Sequence, residues 1–157
     1  MSGVSRSLLS TRVNNQQIGG PLCFGWPHAT DGIVAATAFA RAWNRLDPEA
    51  FLELLAPDAH YASQWVFEEL GSRAAIARYL RGKMKTIRNF RINNPGHRAR
   101  AELTTCGDGR HCVAMTQGDH DEVKAVVVFT VSGNRIARYD MCMPELMGPL
   151  RSGVFPI

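Results

Sequence analysis

The sequence of 157 residues lacks any long hydrophobic run. No apolar stretch approaches the ~20 residues that a helix needs to cross a bilayer, so we expect a soluble protein with no membrane partner. Apolar residues make up 45% of the chain and charged residues 20%, which is ordinary globular composition and argues against disorder throughout. A chain of this length suits one domain with its own core.

The few cysteines lack the spacing of a metal site. Cys23, Cys106, Cys112 and Cys142 are widely spaced and form no CxxC pair. His111 precedes Cys112 directly, but neighbouring side chains of a strand point to opposite faces, so the two cannot share one ion. We therefore expect free thiols in a reducing cytoplasm, and neither a metal nor another cofactor.

Acidic residues are missing from the most basic part of the chain. Eight arginines and lysines fall between residues 78 and 100 without one Asp or Glu, in a chain of net charge +4. Such a stretch could attract phosphates, but positions 78, 81, 85 and 88 share one side of a helix. The aromatic side chains that would stack on bases are also sparse. We interpret the stretch as a solvated helix face and do not expect nucleic-acid binding.

The first 30 residues are interpreted as an arm outside the domain. Residues 1–17 contain Ser and Arg but no acidic residue, which is partly typical of a transit peptide. The breakers Gly-Gly-Pro at 19–21 and Gly-Trp-Pro at 25–27 indicate irregular chain. We expect this arm to pack on its own domain or on a partner subunit.

Three helices are predicted after the arm. Thr30 or Asp31 can cap a helix that reaches Leu46. A second, short helix begins at Asp47-Pro48, where proline loses no amide bond, and is expected to end at Pro57. The third is expected to begin at Gly71-Ser72 and to run to about Ile87.

Six strands complete the predicted domain. Alternating polar and apolar residues indicate a half-exposed strand after the third helix, and Asp108-Gly109 predicts a hairpin turn behind it. The predicted strands span 59–63, 65–68, 98–103, 110–117, 123–131 and 135–143. Pro144 ends the last strand, and the tail behind it is predicted to be irregular. Helices followed by an antiparallel meander indicate an α+β fold, with the hollow between them as the place for a ligand.

This order of elements resembles the SnoaL-like, nuclear-transport-factor-2-like superfamily over residues 31–143. The segments that carry the resemblance are LDPEAFLELLAPDAHY, GSRAAIARYL and VVVFTVSGNRIARYDMC. The resemblance implies an α+β barrel: a cone of three N-terminal helices packed in a strongly curved mixed or antiparallel sheet, followed by a tail at 144–157. It implies little about activity, because the superfamily holds hydrolases, isomerases, dehydratases, cyclases and non-catalytic binders.

Relatives with known reactions allow a comparison residue by residue. Where the ketosteroid isomerases carry their Asp base, Tyr and protonated Asp, this chain has Ser63, Phe39 and approximately Val126. Tyr61 and Ser63 match the water-binding Tyr-x-Asn of the limonene epoxide hydrolases, but the final-strand Asp of those enzymes falls on Met141. The acid and base groups of both relatives are therefore missing here.

Strand parity predicts which side chains face the cavity. If Tyr61 and Ser63 face inward, their strand neighbours face outward. The family register of the last strand places Ala137, Tyr139, Met141 and Met143 inward, and Ile136, Arg138, Asp140 and Cys142 outward. One bulge would exchange these sets. Asp140 is therefore ambiguous: inward it would suit acid/base chemistry, and outward it would pair with an arginine or lie in a dimer contact.

The sequence thus predicts a site and leaves two functions open. The predicted catalytic residues are Asp140, Tyr61 and Tyr139. The predicted ligand-binding residues are Phe39, Trp43, Ser63, Trp65, Met115, Val126, Val128, Met141 and Met143, with a place in the plain core as their alternative. The protein is either a cofactor-free hydrolase, isomerase or dehydratase for a small hydrophobic molecule, or a non-catalytic binder of one. We also expect a homodimer through the outer face of the sheet.

Overall fold

A computed structural model describes residues 31–117 and 122–157. The predicted arm at 1–30 and residues 118–121, between the fourth and fifth predicted strands, lie outside the described residues. In the described part, none of the helices combines the length and the apolar character that crossing a membrane requires.

Four helices are described, and each of the two long ones begins at a side-chain cap. They are α1 (Gly32–Arg45), α2 (Glu49–Leu54), α3 (Arg73–Asn93) and α4 (Pro144–Met147). The Asp31 carboxylate accepts a hydrogen bond from the Val34 amide at 2.9 Å. The Ser72 hydroxyl accepts one from the Ala75 amide at 3.1 Å. Both caps satisfy amides that a helix leaves free at its start, which is why the helices begin where the sequence predicted.

The strands form one six-stranded sheet in the order β2-β1-β6-β5-β4-β3. They are β1 (Leu55–Ser63), β2 (Val66–Leu70), β3 (Ala99–Thr105), β4 (His111–Gln117), β5 (Val123–Ser132) and β6 (Arg135–Cys142). Strands β3 to β6 are an antiparallel meander, while β1 pairs with β6 in parallel. The predicted α+β class is confirmed: the sheet is mixed, curved and unclosed, with β2 and β3 at its edges.

Three predicted boundaries are wrong. The first strand begins at Leu55, so Pro57 lies inside β1 and does not end the second helix. The register of β1 on β6 shifts between Leu55 and His60, and such an irregularity tolerates a proline because no ladder bond is needed from it. Helix α3 continues past Ile87 to Asn93.

The two faces of the sheet carry separate cores. The main core lies on the inner face, which packs against α1 and α3, and many of its side chains are at most 2% exposed. Among them are Phe39, Phe51, Tyr61, Ile76, Val127 and Tyr139. On the outer face lies a smaller group, the outer cluster, which consists of Cys106, Cys112, Val126 and Val128.

The C-terminal segment is ordered against the outer cluster and the edge strand β3. Met147 of α4 packs against the outer cluster. The Leu150 amide donates to the Thr105 carbonyl and the Leu103 amide donates to the Val154 carbonyl, both at 2.8 Å. The tail was predicted to be irregular, but it contains α4 and pairs with the edge of the sheet. It covers a sheet edge whose backbone groups would otherwise lack partners.

Candidate functional site

A cavity of about 710 Å³ lies between the inner face of the sheet and helices α1 and α3. Eight of the predicted site residues line it: Phe39, Trp43, Tyr61, Ser63, Trp65, Met115, Tyr139 and Met141. Nine further described residues line it that the sequence did not single out as site residues: Tyr79, Leu80, Lys83, His97, Ala99, Thr116, Gln117, Lys124 and Ala125.

Aromatic rings form the deep wall of the cavity. Tyr61 of β1 and Tyr139 of β6 are register partners, and their rings stack with centroids 4.6 Å apart. Phe39 lies 5.7 Å from the Tyr139 ring and 6.1 Å from the Trp43 ring. Phe39 and Trp43 are four residues apart on α1, so one face of that helix presents both. The Tyr79 ring of α3 lies 5.4 Å from the Tyr61 ring.

Tyr61 and Tyr139 are held in the neutral form. Burial raises the pKa of Tyr61 well above its ordinary value, and hydrogen bonding with Tyr79 raises it further, while a hydrogen bond with Ser63 lowers it by less. Burial, and then the neighbouring Tyr61 and Tyr79, raises the pKa of Tyr139 in the same direction. Both phenols therefore keep their protons at neutral pH and can donate hydrogen bonds, but they cannot act as bases.

Two buried polar groups of the lining have no hydrogen-bond partner among the described residues. They are the Tyr139 hydroxyl and the Trp43 Nε1. Tyr139 is 1% exposed and Trp43 7% exposed. More than nine in ten buried polar groups in folded proteins are paired, so two unpaired donors in one cavity are unusual.

The exposed part of the cavity lining, which we call the mouth, contains two cations. Lys83 of α3 and Lys124 of β5 line it, and both are exposed. His97 and Gln117 also line it, with the His97 Nε2 3.3 Å from the Gln117 Nε2. Within the described residues, the lining includes no carboxylate. The cavity thus joins an aromatic interior to a mouth of positive charge.

Asp140, predicted as a catalytic residue, does not line the cavity: it faces outward and pairs with an arginine, one of the two placements that the sequence left open. Both of its carboxylate oxygens accept from the Arg138 Nε at 2.9 Å. The Arg138 Nη1 also donates to Glu69 at 2.8 Å, and the His60 Nδ1 lies 2.7 Å from the same carboxylate. These four residues form an outer ion cluster on the outer face of the sheet. Hydrogen bonds with Arg138, and then with His60, lower the pKa of Glu69.

A bulge in β6 explains why the parity prediction fails for Ile136 and holds from Tyr139 onward. The register of β5 and β6 shifts between Thr130 and Val131, which pair with Arg138 and Ile136. Ile136 is consequently buried in the main core, although it was predicted to face outward. Beyond the bulge the register is continuous, so Tyr139 and Met141 face inward while Asp140 faces outward, as the family register predicted.

Three predicted ligand-binding residues also lie elsewhere. Val126 and Val128 belong to the outer cluster, because they have the opposite parity to Ala125, which lines the cavity. Met143 lies beyond the end of β6, where it caps α4 and is 43% exposed. None of the three is part of the lining.

Some of the missed residues carried a sequence signal. Tyr79 and Lys83 are four residues apart on α3, so the face that presents one presents the other. Lys83 was counted in the basic stretch that we interpreted as a solvated helix face. His97 lies in a loop and Gln117 at a strand end, where periodicity predicts nothing.

Comparison with known proteins identifies a family for most of this domain. The model of a family described as a SnoaL-like domain matches residues 36–139. The curated proteins contain no match. Many solved structures match the chain.

Three of these structures illustrate the range of sequence identity and of coverage. An LEH-like epoxide hydrolase from M. tuberculosis is 18% identical, with 77% of this chain and 88% of that one covered and a TM-score of 0.49. A SnoaL-like protein of unknown function from Burkholderia thailandensis is 21% identical, with coverage of 72% and 98% and a TM-score of 0.48. An NTF2-like protein of unknown function from Cytophaga hutchinsonii is 10% identical, with coverage of 74% and 93% and a TM-score of 0.47.

Proposed function

Since the chain belongs to the SnoaL-like domain family, as the resemblance of its sequence predicted, we propose that its cavity binds a small, largely apolar molecule that carries a hydrogen-bond acceptor. The observation that carries this proposal is the pair of buried donors without partners, the Tyr139 hydroxyl and the Trp43 Nε1. A carbonyl, ether or hydroxyl oxygen on the ligand would accept from them.

The energetic argument compares ligands. A buried donor that faces an apolar part of a ligand makes no hydrogen bond, which costs about 1–3 kcal/mol. Tyr139 and Trp43 line the same cavity, so a ligand in it lies beside both residues. An acceptor placed there would recover that cost, whereas a pure hydrocarbon would not.

The size and chemistry of the cavity also support a small ligand. Pockets for small molecules usually measure about 300–1,000 Å³ and are mostly apolar with a few polar groups, which describes this one. Met115 and Met141 in its wall are flexible side chains that adapt to ligands of different shape.

The test compares two ligands of matched shape, 2-acetylnaphthalene and 2-isopropylnaphthalene, titrated against the protein by fluorescence. We expect the ketone to bind more tightly. Ala125→Phe places a phenyl ring in the cavity and should weaken the binding of both ligands by at least about tenfold. The new ring takes the space of one ring of the ligand, and the ligand loses most of its apolar contact. Ala74→Phe on the exposed surface of α3 is the control and should change neither. Binding of neither ligand, or binding that Ala125→Phe leaves unchanged, would contradict the proposal.

Cofactor-free acid/base chemistry is the second candidate function, of the hydrolase, isomerase or dehydratase type. It is supported by the phenols of Tyr61 and Tyr139, which stay protonated and could stabilise negative charge as it develops on a carbonyl oxygen. His97 is the described lining residue best suited to accept a proton. If so, the bound ketone exchanges its α protons for deuterium faster than in buffer, and His97→Gln abolishes the difference. Equal exchange rates would exclude this candidate.

We also propose a cytoplasmic homodimer that forms through the outer face. The C-terminal segment covers the β3 side of that face, so the outer ion cluster on β1, β2 and β6 is the part available to a second copy. The free thiols of Cys106, Cys112 and Cys142 fit a reducing compartment. Sedimentation should give a dimer for the wild type and a monomer for Arg138→Glu. A wild type that stays monomeric at high concentration would contradict the dimer.

A further inference from the structure

We propose that the cavity selects organic anions, molecules with an apolar body and one carboxylate, over neutral molecules of the same shape. This inference rests on the proposed ligand-binding function and names the class of ligand. The body would lie against the aromatic wall, and the carboxylate would lie at the mouth beside Lys83 and Lys124.

The charged side chains of the described lining are all positive. Lys83 and Lys124 line the exposed part of the cavity, while the described lining residues include no Asp or Glu. A neutral ligand would gain nothing from this distribution. A ligand with one negative charge gains attraction from the mouth without any repulsion from the described wall.

The neighbours of Lys83 show that its position is unusual. On the same helix, Arg81 makes two hydrogen bonds of 2.7 Å to the Glu49 carboxylate. Arg88 donates to the Leu46 carbonyl at 2.7 Å and Arg91 donates to the Ala99 carbonyl at 2.6 Å. Lys83 has no such partner among the residues that the structure describes, and it is the cation of this group that lines the cavity.

Lys124 makes the second half of the mouth. It forms an ion pair with Glu122, and both side chains are at least half exposed, so water and salt screen the pair strongly. The ammonium of Lys124 thus keeps donors for a second acceptor. We therefore expect a bound carboxylate to be attracted by Lys83, which has no partner among the described residues, and by Lys124, which Glu122 partly neutralises.

The difference in exposure between wall and mouth suits a ligand with its charge at one end. Tyr139 and Phe39 at the deep wall are at most 1% exposed, whereas Lys83 and Lys124 are exposed. A flat molecule that fills the cavity therefore places one end among aromatic rings and the other in water. A charged group is cheap to place at the second end and costly at the first.

The probes are anthracene-2-carboxylate and anthracene-2-carboxamide, which share one shape and differ by one charge. We expect the carboxylate to bind about three- to tenfold more tightly at low salt, the scale of one or two exposed ion pairs. The preference should shrink toward equal affinities in 1 M NaCl, where the screening length falls to about 3 Å.

The variant Lys83→Gln locates the effect. It should weaken the carboxylate about threefold and leave the carboxamide unchanged. Lys85→Gln is the matched control, since Lys85 is also exposed on α3 but lines a different groove. It should affect neither ligand beyond the salt-dependent background. Circular dichroism of both variants shows that the fold is intact.

The outcomes separate this inference from the proposed function. If both probes bind equally, or if Lys83→Gln weakens both to the same extent, the preference for anions is wrong while ligand binding stands. If neither probe binds, or if Ala125→Phe leaves their binding unchanged, the proposed function is wrong and the preference falls with it.

Discussion

The inner and outer faces of the sheet differ in whether their buried polar groups have hydrogen-bond partners among the described residues. On the outer face, Glu102 of β3 is 0% exposed, yet the chain itself supplies all of its partners. On the inner face, the hydroxyl of Tyr139 is as deeply buried and has no partner among the described residues. A polar group that its own chain satisfies stabilises the fold, whereas one that the chain leaves unpaired indicates a place for another molecule.

The partners of Glu102 all come from the C-terminal segment. Its carboxylate accepts from the Arg151 Nε at 2.8 Å and from the backbone amides of Ser152 and Gly153 at 2.5 and 2.9 Å. Burial alone would raise the pKa of Glu102, but the hydrogen bonds from Arg151, Gly153 and Ser152 outweigh it and lower that pKa. The carboxylate therefore holds the segment against the sheet in its charged form.

Removing the charge of Glu102 is expected to have the largest effect. Glu102→Gln keeps the size of the side chain but loses charge-assisted hydrogen bonds, so the free energy of unfolding should fall by about 2 kcal/mol. Urea denaturation measures this loss. Glu49→Gln, which breaks the exposed pair with Arg81, is the control and should have little measurable effect. If the two variants lose equal stability, Glu102 does not anchor the segment.

The same residue makes the stability depend on pH. Because the pKa of Glu102 is lower in the folded than in the unfolded state, the unfolded chain binds the proton first as the pH falls. Its contribution is complete above the unfolded value of about 4.3 and is lost as the pH falls through the lower folded value. The stability difference between wild type and Glu102→Gln should therefore shrink from pH 7 to pH 3. A difference independent of pH would contradict this role.

The two stacked tyrosines should respond to the loss of a hydroxyl with opposite signs. Tyr139→Phe removes an unpaired donor and should raise the free energy of unfolding by about 1 kcal/mol. The Tyr61 hydroxyl interacts with Tyr79 and Ser63, so Tyr61→Phe should lower the free energy of unfolding by about 1 kcal/mol. Equal destabilisation of both variants in urea would show that Tyr139 has a partner in the free protein.

Asp140 should show the smallest effect. Its carboxylate is paired with Arg138 on the outer face, so Asp140→Asn should leave ligand affinity unchanged and cost less than about 1 kcal/mol of stability. Titration with 2-acetylnaphthalene measures the affinity. A loss of affinity beyond threefold would mean that the inner and outer faces are coupled.

Much of the fold follows from local sequence. Asp31 as a helix cap and Asp108-Gly109 as a hairpin turn act within a few residues, and Gly109 takes the positive φ of 85° that such a turn requires. The parity of β6 also holds where its register is continuous, which is why Tyr139 and Met141 were placed on the inner face. Predictions of this kind depend only on neighbours in the chain.

The rest depends on contacts between distant residues. Glu102 lies in an alternating segment that predicts a half-exposed strand, but the partners that bury it are about 50 residues away. The bulge beside Ile136 arises from pairing with β5, and no local pattern marks it. Lys83 was included in a basic stretch interpreted as solvated, because the sequence shows the run of cations but not that a cavity opens beside one of them.

The affinity ratio of 2-acetylnaphthalene to 2-isopropylnaphthalene, in wild type and in Tyr139→Phe, tests the central claim most directly. If the Tyr139 hydroxyl donates to an acceptor atom of the ligand, the ratio should fall by about five- to tenfold in the variant. A change of that size corresponds to the loss of one buried hydrogen bond, and so to a five- to tenfold change in about the affinity ratio. The Trp43 Nε1 would then supply what preference is left. An unchanged ratio would show that Tyr139 does not bind the acceptor and would contradict the account.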